Sequence, residues 1–294
     1  MAEKHCFVPA DVPEKSIDAF VKHYTALTRN TGNLLLFSAD QKIEHLHKDF
    51  FGADIDPADS NPNHLFSIAS QADIGAMATQ LGLIARYGKQ YKNINYIVKL
   101  NGKTDIIPTD YSDPLSKELW NIQQVAAFKQ QTNLPICGVG YTVYLGSQYE
   151  AEMLTQAAQI VYEAHQHGLV TILWMYPRGE CLEGYERHGM IIAGAAGAAN
   201  ALGADFAKIN LPEPSDEEDM SSLEWLAVAG QAAGNTKLLL SGGQTIAPKK
   251  FIKQLQEYMM IENIAGAAIG RNIHQKSLAD AVAFCKELAA VVYK

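Results

Sequence analysis

The stretch Phe206-Ala207-Lys208-Ile209-Asn210-Leu211-Pro212 decides how the rest of the chain is read. It follows a small-residue run (193–202) and the turn Gly203-Ala204-Asp205. A short apolar run after such a turn reads as a buried parallel strand. Side chains alternate along a strand, so Phe206, Lys208 and Asn210 share one face and Ala207, Ile209 and Leu211 the other. A lysine in the middle of a buried strand is rare unless it is paired or has a task. Burial disfavours the ammonium form, which lowers the pKa and makes a neutral amine available near pH 7. A neutral buried amine is what a Schiff-base nucleophile requires. The alternative is a lysine tied to a carboxylate in a barrel core, and this strand alone leaves both open.

Working outward, further strands are expected at 33–40, 74–78, 95–100, 134–145, 169–176, 237–240 and 264–269. Helical spacing marks 61–72, 81–87, 117–130, 148–167, 190–202, 223–233, 247–261 and 277–292. Strand and helix alternate eight times, which implies a parallel sheet with right-handed crossovers. Eight units in about 260 residues fit a single (β/α)8 TIM barrel better than an open doubly wound sheet. The expected organisation is one domain over 1–294, with an N-terminal extension (1–33) ahead of the barrel (34–294). A helix at 16–27 is expected to cap one end. No GxGxxG follows the first strand and no GxxxxGK[ST] occurs, which disfavours dinucleotide and P-loop readings. The loop 105–116, with Pro108 and Pro114, reads as an active-site cover. In the acidic loop 213–222, Asp216, Glu217 and Glu218 read as a solvated helix start.

The 294 residues are 48% hydrophobic and 19% charged, an ordinary composition for a soluble enzyme. A net charge of -8 and the lack of a long basic run argue against nucleic acid as a partner. A small anionic substrate is still compatible, because a few local cations suffice to bind one. The four scattered cysteines form no CxxC pair and read as reduced thiols. No signal peptide and no membrane span is apparent, so a cytoplasmic protein is expected.

In such barrels chemistry sits at the C-terminal ends of the strands. Those ends present Asp40 with Glu44 and His45, then Lys99, Asn101 and Lys103, then Trp174 and Tyr176 on one inward face, then Lys208. The last two offer Ser241-Gly242-Gly243 and Gly270-Arg271. Small residues let backbone N–H groups approach an anion, a following helix start adds its dipole, and Arg271 adds a bidentate charge. Plain tight turns are the simpler alternative, but two coordinated turns with an arginine favour a phosphate site. Tyr176 reads as a core aromatic or as a general acid/base beside Lys208. Asp40 reads as a core partner of Lys99 or Lys208, or as a group that orients a substrate hydroxyl and relays a proton. Glu44, His45 and His47 match no closed ligand set, so neither a metal nor another cofactor is expected.

The stretches YIVKLNGKT (96–104), VGYTVYLGS (139–147), VTILWMYPRG (170–179), ADFAKIN (204–210), LLLSGG (238–243) and AAIGRNIHQ (267–275) lie in this order. Together they resemble the archaeal-type class I fructose-bisphosphate aldolases, the DhnA family. The resemblance implies a TIM barrel, a Schiff base on Lys208, Tyr176 as acid/base and Asp40 in the site. It places Trp174, Lys99, Arg178, Ser241, Gly242, Gly243, Gly270 and Arg271 around a sugar phosphate, and it implies a homo-oligomer, often decameric. The family usually reads Asp-His-Gly after the first strand, where this chain has Asp40-Gln41-Lys42. The departure bears on specificity at the far end of the sugar. The rival readings are another ketose-phosphate aldolase, a thiolase-like transferase of the same family, or a sugar-phosphate binder without catalysis.

Overall fold

The computed structural model describes residues 6–106, 113–214 and 220–294. Eight parallel strands close into a barrel in sequence order. They are β1 (Leu34–Ser38), β2 (Ala76–Gln80), β3 (Tyr96–Lys99), β4 (Ile136–Leu145), β5 (Val170–Pro177), β6 (Phe206–Ile209), β7 (Lys237–Ser241) and β8 (Ile264–Ile269). The α-helices among the described residues are α1 (Glu14–Thr28), α2 (Gln41–Glu44), α3 (Asn63–Gln71), α4 (Leu81–Tyr87), α5 (Ile122–Thr132) and α6 (Glu150–Gln166). They continue with α7 (Gly189–Ala201), α8 (Ser222–Ala232), α9 (Pro248–Tyr258), α10 (Arg271–His274) and α11 (Leu278–Val292). The expected barrel is therefore the observed one.

Strand alternation divides the apolar residues into two layers. Leu34, Leu36, Ala76, Ala78, Ile97, Val170, Ile172, Trp174, Phe206 and Leu239 form the cluster inside the barrel. Leu35, Phe37, Met77, Val98, Ala207 and Ile209 face the surrounding helices. A bulky indole fits among the strands because β4 carries a glycine beside it. A Cβ on Gly140 would lie 2.3 Å from the Trp174 ring. Helix α1 closes the opposite end, as its spacing predicts. Phe20, Tyr24 and Leu27 join the inner cluster, and Tyr24 stacks on Phe206 with ring centroids 5.5 Å apart.

Among the boundaries that shift from expectation, two have a plain local cause. Helix α5 begins at Ile122, not at residue 117, because Asn121 and Gln124 form a capping box. The residues before it are held extended on the end of β3, with Leu119 N–H donating to Leu100 O and Asn101 bridging Glu118. Strand β2 starts two residues late, because Ile74 N–H closes a turn onto Ala72 O. Part of the loop at 105–116, with Pro108, and the acidic residues Asp216, Glu217 and Glu218 lie outside the described residues. The loop's far end is anchored: Asp113 accepts from Gln148 N and Glu180 N, each at 2.7 Å.

Candidate active site

Strand pairing sets Lys208 directly beside Trp174, its register partner across β5 and β6. Both point inward, above Phe206. Lys208 is 6% exposed, and its Nζ donates to Ser38 Oγ at 3.0 Å. The same Nζ also lies 5.5 Å from the Trp174 ring centre and 5.8 Å from that of Tyr176. Burial lowers the Lys208 pKa, with Arg178 and Arg271 adding to that effect and Asp40 and Glu44 opposing it. Tyr176 moves the other way. Burial raises its pKa, Asp40 and Glu44 reinforce this, and Arg178 and Arg271 oppose it. Both groups are thus driven toward their neutral forms, an amine beside a phenol. Paired groups with opposed shifts are the usual raw material of acid/base work.

The two residues open onto a cavity of about 610 Å³, which Asp40, Gln41, Glu44, Trp174, Arg178, Ser241, Gly242, Gly243, Gly270 and Arg271 also line. Lys103, Asp105 and Pro114 line it as well, so the described ends of the loop at 105–116 border the cavity. Arg178 is exposed, and its guanidinium carbon lies 5.4 Å from the Tyr176 ring centre.

Two expected pairings are replaced by others. The Asp40 carboxylate makes no hydrogen bond or ion pair among the described residues and is left facing the cavity with Lys208 nearby. Lys99 is fully buried and stands apart from the cavity lining. Its ammonium binds Asn101 O at 3.1 Å, Asn101 Oδ1 at 3.0 Å and Glu44 Oε1 at 3.4 Å. The same Glu44 lines the cavity, so Lys99 holds a wall residue. No cluster of three metal-capable side chains occurs among the described residues. His45 pairs with Asp49, and His47 is exposed and stacks on Phe51.

The two glycine-rich strand ends form one structure. Arg271 Nη2 donates to Gly243 O at 3.2 Å, bridging β7 and β8, while Nε lies 3.7 Å from the Asp49 carboxylate. That Nε has no hydrogen-bond partner among the described residues. Gly242 N–H is committed to Ala268 O, and Ser241 Oγ donates to Asn210 Oδ1 at 3.0 Å. The expected helix dipole contributes little here, because α10 is a single turn and α9 starts only at Pro248. Asn272, which the sequence reading missed, does the bracing instead. It is 1% exposed, donates to Gly242 O and Gln244 O, and accepts from Ile246 N. Its position directly after the Gly270-Arg271 pair was the available signal.

A barrel with this mouth, a buried lysine amine of lowered pKa beside a phenol and facing a braced cationic loop, falls in the class of lysine-dependent barrel aldolases. The chain belongs to the DeoC/LacD family of aldolases, whose model matches residues 34–276. It is 48% identical over 284 residues to the Methanocaldococcus jannaschii fructose-bisphosphate aldolase/6-deoxy-5-ketofructose 1-phosphate synthase, covering 97% of this chain and 89% of that one. A solved fructose-bisphosphate aldolase from Slackia heliotrinireducens superposes with a TM-score of 0.96 at 46% identity, over 100% of this chain and 91% of that one. An archaeal fructose-1,6-bisphosphate aldolase, solved with its catalytic lysine bound covalently to the carbinolamine intermediate, superposes with a TM-score of 0.77. It is 27% identical, over 94% of this chain and all of that one.

Proposed function

We propose that this chain is a class I aldolase that reversibly cleaves fructose 1,6-bisphosphate to dihydroxyacetone phosphate and glyceraldehyde 3-phosphate. The observation that carries the reading is the buried Lys208 amine, hydrogen-bonded to a hydroxyl rather than a carboxylate, opening on a cavity with a braced arginine site. The named relatives support the reaction.

The neutral Lys208 amine adds to the C2 ketone and gives a carbinolamine. Tyr176, a phenol at rest, donates its proton as the C2 hydroxyl leaves as water, and a protonated imine remains. The phenolate so formed is stabilised by the nearby Arg178 and Arg271 charges. It then takes the proton of the C4 hydroxyl. The C3–C4 bond breaks, its electron pair moves into the iminium, and the aldehyde departs. The enamine takes a proton back at C3, and water releases the second triose from Lys208. Asp40, whose carboxylate has no protein partner among the described residues, is placed to hold a substrate hydroxyl. Ser241 to Gly243 and Gly270-Arg271 hold the phosphate next to the ketone.

A second reading follows from the double name of the Methanocaldococcus relative. The same enamine added to the aldehyde carbon of pyruvaldehyde, instead of glyceraldehyde 3-phosphate, gives 6-deoxy-5-ketofructose 1-phosphate. Only the acceptor end of the cavity distinguishes the two. A homo-oligomeric, even decameric, assembly and a cytoplasmic location belong to the same proposal. They rest on the family resemblance and on four cysteines that are all free. No helix among the described residues is long and apolar enough to cross a membrane.

The test is borohydride trapping. Dihydroxyacetone phosphate with borohydride should place a triose phosphate adduct on the peptide that holds Lys208, and fructose 1,6-bisphosphate should yield both trioses in an aldol-cleavage assay. Trapping without cleavage would leave a binder or another transferase.

A further inference from the structure

Gln41, His274 and Asp59 come from three distant parts of the chain and meet in one line of contacts. Gln41 follows β1, His274 ends α10, and Asp59 sits in the short turn Pro57–Ser60. His274 Nδ1 lies 2.6 Å from Asp59 Oδ2, and its Nε2 lies 3.1 Å from Gln41 Oε1. The His274 and Asp59 side chains are fully buried. Phe50 covers the imidazole, stacked at 4.7 Å. Lys42 holds the turn in place: its Nζ donates to Asp59 O and Ser60 O and sits 3.6 Å from the Phe50 ring centre. Asp59 Oδ1 has no hydrogen-bond partner among the described residues. A buried carboxylate with one oxygen unsatisfied is destabilising, so stability of the fold gives no account of it.

The line has an outer end. Gln41 lines the cavity and lies flat on the loop that carries Arg271. A Cβ on Gly270 would fall 2.4 Å from Gln41 Oε1 and 2.6 Å from its Nε2, so the amide packs directly against this glycine and a side chain there would displace it. With both ring nitrogens of His274 protonated, Nδ1–H donates to Asp59 Oδ2 and Nε2–H to Gln41 Oε1, and the amide nitrogen is then left without a partner among the described residues. It is an N–H donor packed against Gly270, in the lining of the cavity that Arg271 shares.

We propose that Gln41 is a phosphate contact of the anion site, with its N–H donor aimed by His274 and Asp59 at the phosphate that Arg271 holds. The proposal rests on the reading that Ser241 to Gly243 and Gly270-Arg271 bind the phosphate next to the ketone. An amide held by its oxygen can only donate on its free side, so it favours an ionised phosphate oxygen over a hydroxyl proton. It adds a hydrogen bond to the anion without adding charge. Gln41 touches the ligand; His274 and Asp59 are positioning residues that act through it.

The experiment measures binding of inorganic phosphate and of dihydroxyacetone phosphate to full-length wild type, Gln41→Leu, Gln41→Glu, His274→Asn and Arg271→Ala. Gln41→Leu should weaken both ligands about tenfold. Gln41→Glu should weaken them further, because a carboxylate then faces the phosphate. The loss should follow the phosphate: half-saturation of borohydride trapping should rise more for dihydroxyacetone phosphate than for dihydroxyacetone. His274→Asn should weaken phosphate binding in the wild-type background and add nothing in the Gln41→Leu background, whereas a purely structural role would add in both. If Arg271→Ala weakens phosphate binding and Gln41→Leu does not, the role of Gln41 is overturned and the anion site stands. If neither substitution weakens it, the anion-site reading falls and the proposal falls with it.

Discussion

Lys208 Nζ on β6 donates to Ser38 Oγ on β1 at 3.0 Å, across the inside of the barrel mouth. A hydroxyl partner orients the amine without the charge that would keep it protonated. A carboxylate in the same place would raise the pKa and work against nucleophilic attack. The nearest acids, Asp40 and Glu44, act on Lys208 only through their charge.

This arrangement predicts a trade between activity and stability. Burial lowers the folded-state pKa of Lys208 below its ordinary 10.5. A group with a depressed pKa contributes fully above the unfolded value and loses that contribution as pH falls through the folded one. Near neutrality Lys208 is therefore a destabilising residue. Lys208→Met should abolish borohydride trapping and raise the melting temperature. A triose adduct found on Lys99 in wild type would sink the assignment. EDTA should leave cleavage intact, since the imine serves as the electron sink, and a loss restored by Zn²⁺ would contradict this.

Tyr176 should serve both imine formation and bond cleavage. Removing one positioned acid/base group costs about 10²–10⁴ in rate. Tyr176→Phe should fall by that order in kcat, and borohydride trapping of dihydroxyacetone phosphate on Lys208 should slow with it, because the same phenol expels water from the carbinolamine. Wild-type turnover would return the ring to a packing role beside Trp174 and Arg178.

His23 should dominate one limb of the pH–stability curve, away from the site. Its Nδ1 donates to Gly168 O at 2.6 Å, and its Nε2 accepts from Lys129. Burial, assisted by the Lys129 charge, lowers its pKa from 6.5 to about 4. The unfolded chain therefore binds the extra proton first, and stability falls as pH drops from 6.5 to about 4. The loss is on the order of 3 kcal/mol. His23→Gln should flatten chemical denaturation midpoints across that window. An unchanged slope in the variant would assign the acid limb to other groups.

The strand pattern made the barrel readable, because buried parallel strands leave continuous apolar runs and their ends fall at fixed places. Lys208, Trp174 and Tyr176 share a face through simple alternation, and Ser241 to Gly243 and Gly270-Arg271 announce themselves by composition. Partner identity was not readable. Asp40 looked like the mate of Lys99 or Lys208, yet Glu44 and Asn101 hold Lys99, and Ser38 holds Lys208. Which carboxylate meets which amine depends on barrel stagger and on one turn of helix after β1, and no local pattern encodes either. Gln41 and Lys42 stood out only as a departure. Gln41 faces the cavity, whereas Lys42 turns back to Asp59 and Ser60, 17 and 18 residues away. The start of α5 was legible and overlooked, in the Asn121 to Gln124 capping box.

Arg271 tests the substrate class. Its Nη2 is tied to Gly243 O and its Nε faces the Asp49 carboxylate at 3.7 Å, so the guanidinium is oriented before any ligand arrives. Burial raises the Asp49 pKa, but the hydrogen bond and charge of His45 outweigh it, with Arg271 and His274 helping, and the net shift is downward. Asp49 therefore stays ionised as the counter-charge. A preorganised arginine loses little freedom on meeting a phosphate, and its contact is of the stronger, charge-assisted kind. Losing it should weaken binding by roughly 1.5–3 kcal/mol, about ten- to more than a hundredfold. Part of that binding also sets C2 against Lys208, so kcat should fall along with KM rising. Fructose 1-phosphate keeps the phosphate beside the ketone and should remain a usable but poorer substrate, whereas fructose 6-phosphate should be far worse. The measurement is kcat/KM for the three sugars in wild type and Arg271→Ala. If the variant lost nothing on fructose 1-phosphate, the phosphate beside the ketone would have to be held elsewhere, and the preference for a bisphosphate would lose its physical basis.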